Sequence, residues 1–226
     1  MTNRVYSVAI DGPAGAGKSS IAKRVAQRLG FVYADTGAIY RTVAYAVLQA
    51  GNAADDAVAV AALLPSLSLR VIWRDANQHM LLNGRDITDE IRSRAVSHNA
   101  SVIAEQPAVR QFLLETQREI ARTNSVIMDG RDIGTVVLPD ADVKIFLTAS
   151  AEVRAMRRFL ELRETLPELT FDTVLAELKE RDLRDSQREI APLRCAEDAI
   201  LIDTSDLTLP QSIEAITRCI QERLGL

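Results

Sequence analysis

Eight consecutive residues near the start of the chain, Gly12-Pro13-Ala14-Gly15-Ala16-Gly17-Lys18-Ser19, limit what it can fold into more than any other feature. They fit the pattern G-x-x-x-x-G-K-[ST], which average residue usage produces by chance in roughly one chain in a hundred of this length. The surroundings fit as well. Residues 5–11 are an apolar run that reads as a short buried strand, and residues 19–29 repeat Ile21, Val25 and Leu29 at helical spacing with Gly30 as the stop. A strand that turns through glycines into a helix is the setting in which this pattern binds phosphate. Glycines let the backbone curl until several N–H groups face one point, and the helix adds its own N-terminal N–H groups and dipole. The dense charge of a nucleotide's β- and γ-phosphates suits such a cradle. It is assigned here to Gly12, Pro13, Ala14, Gly15, Ala16, Gly17, Lys18, Ser19 and Ser20, with Lys18 reaching the phosphates and the Ser19 hydroxyl helping to hold Mg²⁺.

The rest of the chain extends this unit into an α/β fold. Residues 31–34 read as a second strand, Asp35-Thr36-Gly37 as a loop, and residues 38–49 as a helix that repeats Ile39, Val43 and Val47 before Gly51. Strand, helix, strand, helix at this spacing indicates a parallel sheet with crossover helices. The pattern then changes. Residues 67–73 alternate, Asp75-Ala76-Asn77 is a turn signal, residues 79–82 resume a strand, and Asn83-Gly84 is a further turn. These features predict a small antiparallel insert at about residues 65–88. Helices are expected at 89–104 and 107–122, the second with Pro107 in its first turn and Val109, Phe112, Leu113, Thr116 and Ile120 on its buried face. Residues 125–129, 143–147 and 199–203 supply three more strands. Residues 151–163 and 172–185 read as helices around a break that contains Pro167, and a last helix starts near Pro210. The sum is one domain over 1–226: a five-stranded parallel sheet with helices on both faces and a small antiparallel β insert.

Composition removes several function classes. With 47% hydrophobic and 26% charged residues the chain is an ordinary globular one. A net charge of -4 and a pI near 5.3 argue against a dedicated nucleic-acid binder, and 4% aromatic residues are too few for a base-stacking platform. The cysteines, Cys195 and Cys219, make neither a disulfide framework nor a zinc site and read as buried free thiols in a reducing compartment. No leader pattern and no run approaching the ~20 apolar residues of a bilayer span is present. A soluble cytoplasmic protein without membrane contact is expected.

A phosphate cradle alone does not name a reaction. The chain has no Asn-Lys-x-Asp segment of the kind that reads guanine, and no strand ending in Asp-Glu as in ATP-driven motors. Both absences favour a small-molecule kinase over a nucleotide-dependent switch. Ligands of open parallel sheets bind beyond the carboxyl ends of the strands, which directs attention to Asp35-Thr36-Gly37-Ala38-Ile39-Tyr40-Arg41 and to Asp129-Gly130-Arg131-Asp132-Ile133-Gly134-Thr135. Asp129 ends an apolar strand, as suits an acid that orients Mg²⁺ through water. Arg131 and Asp132 alternate charge in a glycine-flanked turn, so their side chains should diverge. Arg181, Asp185 and Arg188, at i, i+4 and i+7, should share one helix face. From the residues alone, a loop cap stays an alternative for Asp132, solvated surface stays an alternative for Arg41, and the 181–188 stripe taken by itself reads first as a solvated face.

These segments together resemble the bacterial cytidylate kinase (CMP/dCMP kinase) family of P-loop nucleoside monophosphate kinases. The resemblance is carried by Ile10-Asp11-Gly12-Pro13-Ala14-Gly15-Ala16-Gly17-Lys18, by the 35–41 and 129–137 segments, and by Lys179-Glu180-Arg181-Asp182 through Pro192, in the family's order and over nearly the whole chain. It implies transfer of the ATP γ-phosphoryl group to CMP or dCMP, in pyrimidine nucleotide metabolism, by a monomer that uses Mg²⁺ with ATP. It implies an NMP-binding region at about 35–122 and a short helical lid at about 154–170. It also implies roles for single residues. Thr36, Arg110, Asp132 and Arg188 would surround the cytosine. Ser101, Arg181 and Asp185 would sit near the sugar, and Arg41 and Arg131 would hold the acceptor phosphate. Arg157 and Arg158 would close on the ATP phosphates, and Lys18, Asp129, Arg131 and Arg188 would carry the chemistry. Where relatives often have serine this chain has Thr36, which keeps the hydroxyl and adds a methyl group. The acceptors UMP, AMP and shikimate are the alternatives to CMP.

Overall fold

In the computed structural model, which describes residues 4–164 and 166–226, the apolar run before the glycines is strand β1, Ser7–Asp11. Residues 1–3 lie outside the described residues, as does Thr165 within the expected lid segment. Strand β1 is followed by helix α1, Lys18–Leu29, which Gly30 closes with φ of 69°. Glycine adopts that left-handed conformation without the Cβ penalty, and its N–H caps the last carbonyls. Strand β2, Val32–Asp35, leads straight into helix α2, Thr36–Gln49. The expected Asp35-Thr36-Gly37 loop is therefore a correction. Asp35 is the N-cap, its side chain accepting from the Ala38 N–H, and Thr36 and Gly37 are already helical. A carboxylate at the N-cap satisfies a donor that the first turn otherwise leaves unpaired, so no separate loop is needed.

Helix α3, Ala57–Leu63, was not foreseen, because its alanine- and valine-rich run has too little polar contrast to show a helical period. The antiparallel insert is present as β3, Leu69–Arg74, β4, Asn77–Leu82, and the two-residue β5, Arg85–Asp86, in the order β3-β4-β5. The helix expected at 89–104 is a 3₁₀ turn, Glu90–Arg92, and then α4, Arg94–Ile103, with Ser93 between them as N-cap. Helix α5, Pro107–Thr123, has Pro107 in its first turn and buries Arg110 and Gln117 beside the expected Val109, Leu113 and Ile120. Within this part of the chain α2 packs against both α4 and α5.

Strand β6, Val126–Gly130, runs into a π-helical turn at Ile133–Val137, where a simple loop was expected. Then come β7, Val143–Thr148, α6, Ala151–Leu162, α7, Phe171–Gln187, β8, Ile200–Asp203, and α8, Leu209–Leu224. The large sheet has the order β2-β6-β1-β7-β8. β7 runs parallel to β1, with Ile10 opposite Ile145, and parallel to β8, with Leu147 opposite Ile202. Val8, Ala9, Ile10, Val126, Ile127, Met128 and Leu147 have no exposed surface. Such unbroken apolar runs belong to parallel strands covered on both faces. The steps from β1 to β2 and from β7 to β8 go in opposite directions along the sheet, so right-handed crossovers put their helices on opposite faces.

Two further expectations need correction. Helix α7 ends at Gln187, and Arg188, with ψ of 139°, has left the helix although its N–H still reaches the Arg184 carbonyl at 3.1 Å. Arg188 therefore does not share a helix face with Arg181 and Asp185. The cysteines are free, but Cys195 is exposed and Cys219 half-buried, so neither is a core residue. Among the described residues no helix is long and apolar enough to cross a membrane.

The chain divides into two compact units. One joins Tyr6–Phe31 to Ile127–Leu226, and the other contains Val32–Val126. The expected site residues fall in both.

Candidate active site

The first unit carries the phosphate cradle. Gly12 has φ of 149°, and a Cβ there would stand 1.9 Å from the Leu147 carbonyl oxygen, so only glycine lets the loop pass β7. Gly15 and Gly17 also have positive φ, at 75° and 85°. Lys18 is buried, and its ammonium donates to the carbonyls of Gly12 at 2.7 Å and Pro13 at 2.8 Å. Burial, and then the Arg131 guanidinium, hold its pKa well below the usual lysine value, against the pull of Asp129. The site is thus crowded with positive charge around a desolvated cation, and an added polyanion relieves that repulsion.

Ser19 and Ser20 are exposed at the start of α1. The Ser19 hydroxyl donates to Asp129 Oδ2 at 2.8 Å, and Asp129 itself is buried at the end of β6. A hydroxyl and a carboxylate side by side are hard oxygen donors of the kind Mg²⁺ takes, and two protein oxygens leave room for phosphate oxygens and water. The residues present therefore fit that ion.

Beyond β6 the charged residues diverge into two ion pairs. Arg131 Nε donates to Asp185 Oδ2 at 2.7 Å, and Arg188 donates to Asp132 Oδ1 at 3.4 Å. The second pair is almost fully enclosed, with side chains 6% and 7% exposed. Burial pushes the Asp185 carboxyl up, but Arg131, Arg181 and Arg188 outweigh it and hold the pKa below the usual aspartate value. Asp185 is therefore an anion surrounded by guanidinium groups. Lys18, Ser19, Asp129, Arg131, Asp132, Asp185 and Arg188 thus sit in one unit, tied to one another by contacts or charge. Arg181 is exposed on α7.

The expected lid cations lie elsewhere in that unit. Arg157 and Arg158 both belong to α6. The Arg157 guanidinium donates to the Thr204 carbonyl at 2.7 Å and to its hydroxyl at 3.2 Å, while Arg158 pairs with Glu161 at 3.0 Å on the surface.

Two residues that sequence reasoning missed organise this unit. Asp11, the last residue of β1, is buried and accepts from the N–H groups of Ile133 at 2.8 Å and Gly134 at 2.7 Å. Burial dominates its ionisation and raises the pKa to about 6, against the lowering effect of those two hydrogen bonds. Its signal was available, as an acid closing an otherwise apolar strand immediately before Gly12. Arg154 had no such signal. It is buried in α6 and donates to the Ala149 carbonyl, to the Ala14 carbonyl of the cradle at 3.0 Å, and to Asp182 of α7 at 2.7 Å. It thus ties two helices to the phosphate loop.

The second unit carries the other expected residues. Arg41 Nη2 donates to Asp35 Oδ2 at 2.7 Å, six residues earlier in the chain. Glycine at residue 37 leaves room for the pair, since a Cβ there would come within 2.9 Å of Asp35 Oδ1 and 3.0 Å of Arg41 Nη1. Arg41 Nε is buried with no hydrogen-bond partner among the described residues, a donor held ready for an anion. Thr36 is buried beside this pair in sequence. Arg110 is buried in α5, donates to the Ala104 carbonyl at 3.1 Å and lies 5.9 Å above the ring of Tyr40. Ser101 is half-buried in α4. The insert contributes two side chains that were not foreseen. Gln78 exchanges hydrogen bonds with the Asp35 backbone, and Trp73 Nε1 donates to the Tyr33 carbonyl at 2.9 Å.

A family profile described as cytidylate kinase matches residues 8–222. A protein named cytidylate kinase from an Exiguobacterium species is 48% identical over 216 residues, covering 95% of this chain and 96% of its own length. Another of that name from Leuconostoc mesenteroides is 47% identical over 225 residues and covers 100% of both chains. Among solved structures, an uncharacterized protein from Eubacterium ventriosum has a TM-score of 0.51 at 14% identity, covering 96% of this chain and 98% of that one, which is a likeness of fold alone. With a glycine cradle on β1 and α1, paired acids and guanidinium groups after β6, and a family match over nearly its whole length, the chain belongs to the cytidylate kinase family.

Proposed function

We propose that the chain transfers the γ-phosphoryl group of ATP to CMP or dCMP, forming ADP and CDP or dCDP. The observation that carries this is the enclosed Asp132–Arg188 pair, in the same unit as the phosphate cradle. Cytosine presents an amino donor next to two acceptors. A carboxylate accepts from the amino group, and a guanidinium donates to an acceptor. Uracil replaces that donor with an acceptor, which leaves the enclosed Asp132 carboxylate facing an oxygen. Unpaired buried polar groups are what let a site reject an analogue. Family membership supports this acceptor over UMP, AMP or shikimate.

The transfer is mostly a matter of positioning and charge. An oxygen of the acceptor phosphate forms the new bond to the γ-phosphorus as the bond from that phosphorus to the bridging oxygen breaks, and ADP leaves with the electron pair. The acceptor is already an anion at neutral pH, so no general base is required. Lys18 holds the donor phosphates, Arg41 and Arg131 take the acceptor phosphate, and Asp185, Arg181 and Ser101 meet the sugar. Thr36 and Arg110 complete the base site. Ser19 would hold Mg²⁺ and Asp129 would orient it through water, and the ion would neutralise phosphate charge. Arg157 and Arg158 act as lid cations after leaving Thr204 and Glu161, and segment 154–170 closes as it carries them. The enzyme works as a cytoplasmic monomer on free nucleotides, with residues 35–122 as its NMP-binding region.

An acceptor panel tests this directly. ATP is supplied with CMP, dCMP, UMP, AMP or shikimate, and ADP release is followed. Release with CMP and dCMP well above the others is expected. Equal release with UMP or AMP, or release that does not depend on the acceptor, would refute the assignment.

A further inference from the structure

Strand β2 is the outer strand of the large sheet. On one side the Val32 N–H donates to the Ser125 carbonyl at 2.9 Å, and alternate residues of a strand direct their backbone groups to opposite sides. Tyr33 and Asp35 therefore aim theirs at the open edge. An edge of unpaired N–H and C=O groups must be covered or hydrated. Here it is covered by side chains. Gln78 Oε1 accepts from the Asp35 N–H at 2.7 Å, and Gln78 Nε2 donates back to the Asp35 carbonyl at 3.1 Å. Trp73 Nε1 donates to the Tyr33 carbonyl at 2.9 Å. Trp73 and Gln78 are directly opposite each other on β3 and β4, so one cross-strand pair supplies all three bonds. A primary amide such as glutamine's matches both groups of a backbone residue, donor to acceptor and acceptor to donor.

The covered residue is not an ordinary edge position. Asp35 caps α2 through Oδ1 and grips Arg41 through Oδ2, and both side chains lie close against Gly37. A shift of the Asp35 backbone moves its carboxylate, and that in turn moves the first turn of α2 and the Arg41 guanidinium. We propose that Gln78, assisted by Trp73, is a positioning residue for the acceptor phosphate: the antiparallel insert fixes Asp35, and through it the place of Arg41 and Thr36. This rests on the reading of Arg41 as an acceptor-phosphate ligand. The insert is therefore a strut for the helix that carries Arg41.

The test is steady-state kinetics on the full chain with Gln78→Leu and with the milder Trp73→Phe, each varying CMP at saturating ATP and ATP at saturating CMP. Gln78→Leu keeps the bulk and removes both bonds, leaving a desolvated N–H, which corresponds to about a tenfold rise in the KM for CMP. The KM for ATP and kcat should stay within about twofold, and Trp73→Phe should show the same split at smaller size. A KM for CMP unchanged in both variants, or a rise matched by the KM for ATP, overturns the proposal. Amide hydrogen exchange at Asp35 reads the docking without reference to the acceptor. Faster exchange in Gln78→Leu supports it even if the acceptor panel were to fail, and unchanged exchange overturns it even if CMP is phosphorylated normally.

Discussion

Asp11→Asn separates what this carboxylate does for function from what it does to stability. The side chain is buried, accepts the Ile133 and Gly134 N–H groups, and has a pKa raised from 3.8 to about 6. A folded-state pKa above the unfolded one means that the folded chain holds the proton more tightly. Stability from this group is complete below the unfolded value and is lost as pH rises through about 6. Two pKa units and a little more, at 1.36 kcal/mol each, amount to about 3 kcal/mol in all. Roughly 2 kcal/mol of that falls between pH 4.5 and pH 7.5. The nearby charges divide, with Asp132 raising the pKa and Lys18 lowering it. Asparagine keeps the shape and has no charge to titrate. It also has a single acceptor oxygen, so one N–H of the π-helical turn loses its partner, a penalty of about 1–3 kcal/mol that does not vary with pH.

The assay is urea unfolding of both proteins across that pH range, compared as the difference between them. Wild type should lose about 2 kcal/mol relative to Asp11→Asn as pH rises, whatever the offset between the two curves. The same variant should lower the preference for CMP over UMP at neutral pH, because the turn it loosens begins next to Asp132. A difference in stability that stays flat with pH would refute the buried-anion account. A flat difference together with unchanged base preference would remove Asp11 from the site altogether.

Lys18→Ala should lower turnover by at least about a hundredfold, since no other side chain delivers a cation from within the loop, and near-normal rates in a coupled assay would sink the cradle assignment. Asp132→Ala should erode the CMP-to-UMP ratio by about tenfold or more, and an unchanged ratio would take Asp132 out of base recognition. Gly12→Ala places a Cβ 1.9 Å from the Leu147 oxygen, so it should melt well below wild type and lose ATP binding in calorimetry; wild-type melting and ATP affinity would show that the loop does not need glycine there.

The donor half of the site was legible because its chemistry is local. Phosphate needs glycines, a lysine and a hydroxyl at fixed spacing within one turn, and that spacing is written in consecutive residues. The sheet was legible for a similar reason, since strands buried on both faces are short apolar runs. Arg188 was misplaced because its spacing from Arg181 and Asp185 is helical while its backbone is not. The helix stops at Gln187, and the chain turns through Ala191 at φ of 50° so that the Leu193 N–H reaches back to the Asp185 carbonyl. Neither helical period nor charge pattern records where a tertiary hydrogen bond will end a helix.

Asp11, Arg154 and Gln78 were missed for a different reason. Each binds backbone atoms of a distant segment, Asp11 at Ile133 and Gly134, Arg154 at Ala14, and Gln78 at Asp35. A backbone group has no residue identity, so nothing at the far end marks the contact in the sequence. Residues that meet a substrate reveal themselves by chemical type, whereas the partners of those that hold them in place are visible only once the chain is folded. The strongest motif shows both kinds at once. Its Lys18 and Ser19 carry the pattern that names the phosphate site, while Asp11, one residue before the first glycine, turns its carboxylate toward the turn that carries Asp132. One strand end therefore fixes the donor loop by its backbone and the turn next to Asp132 by its side chain, so a change at Asp11 should alter acceptor choice before it alters ATP affinity.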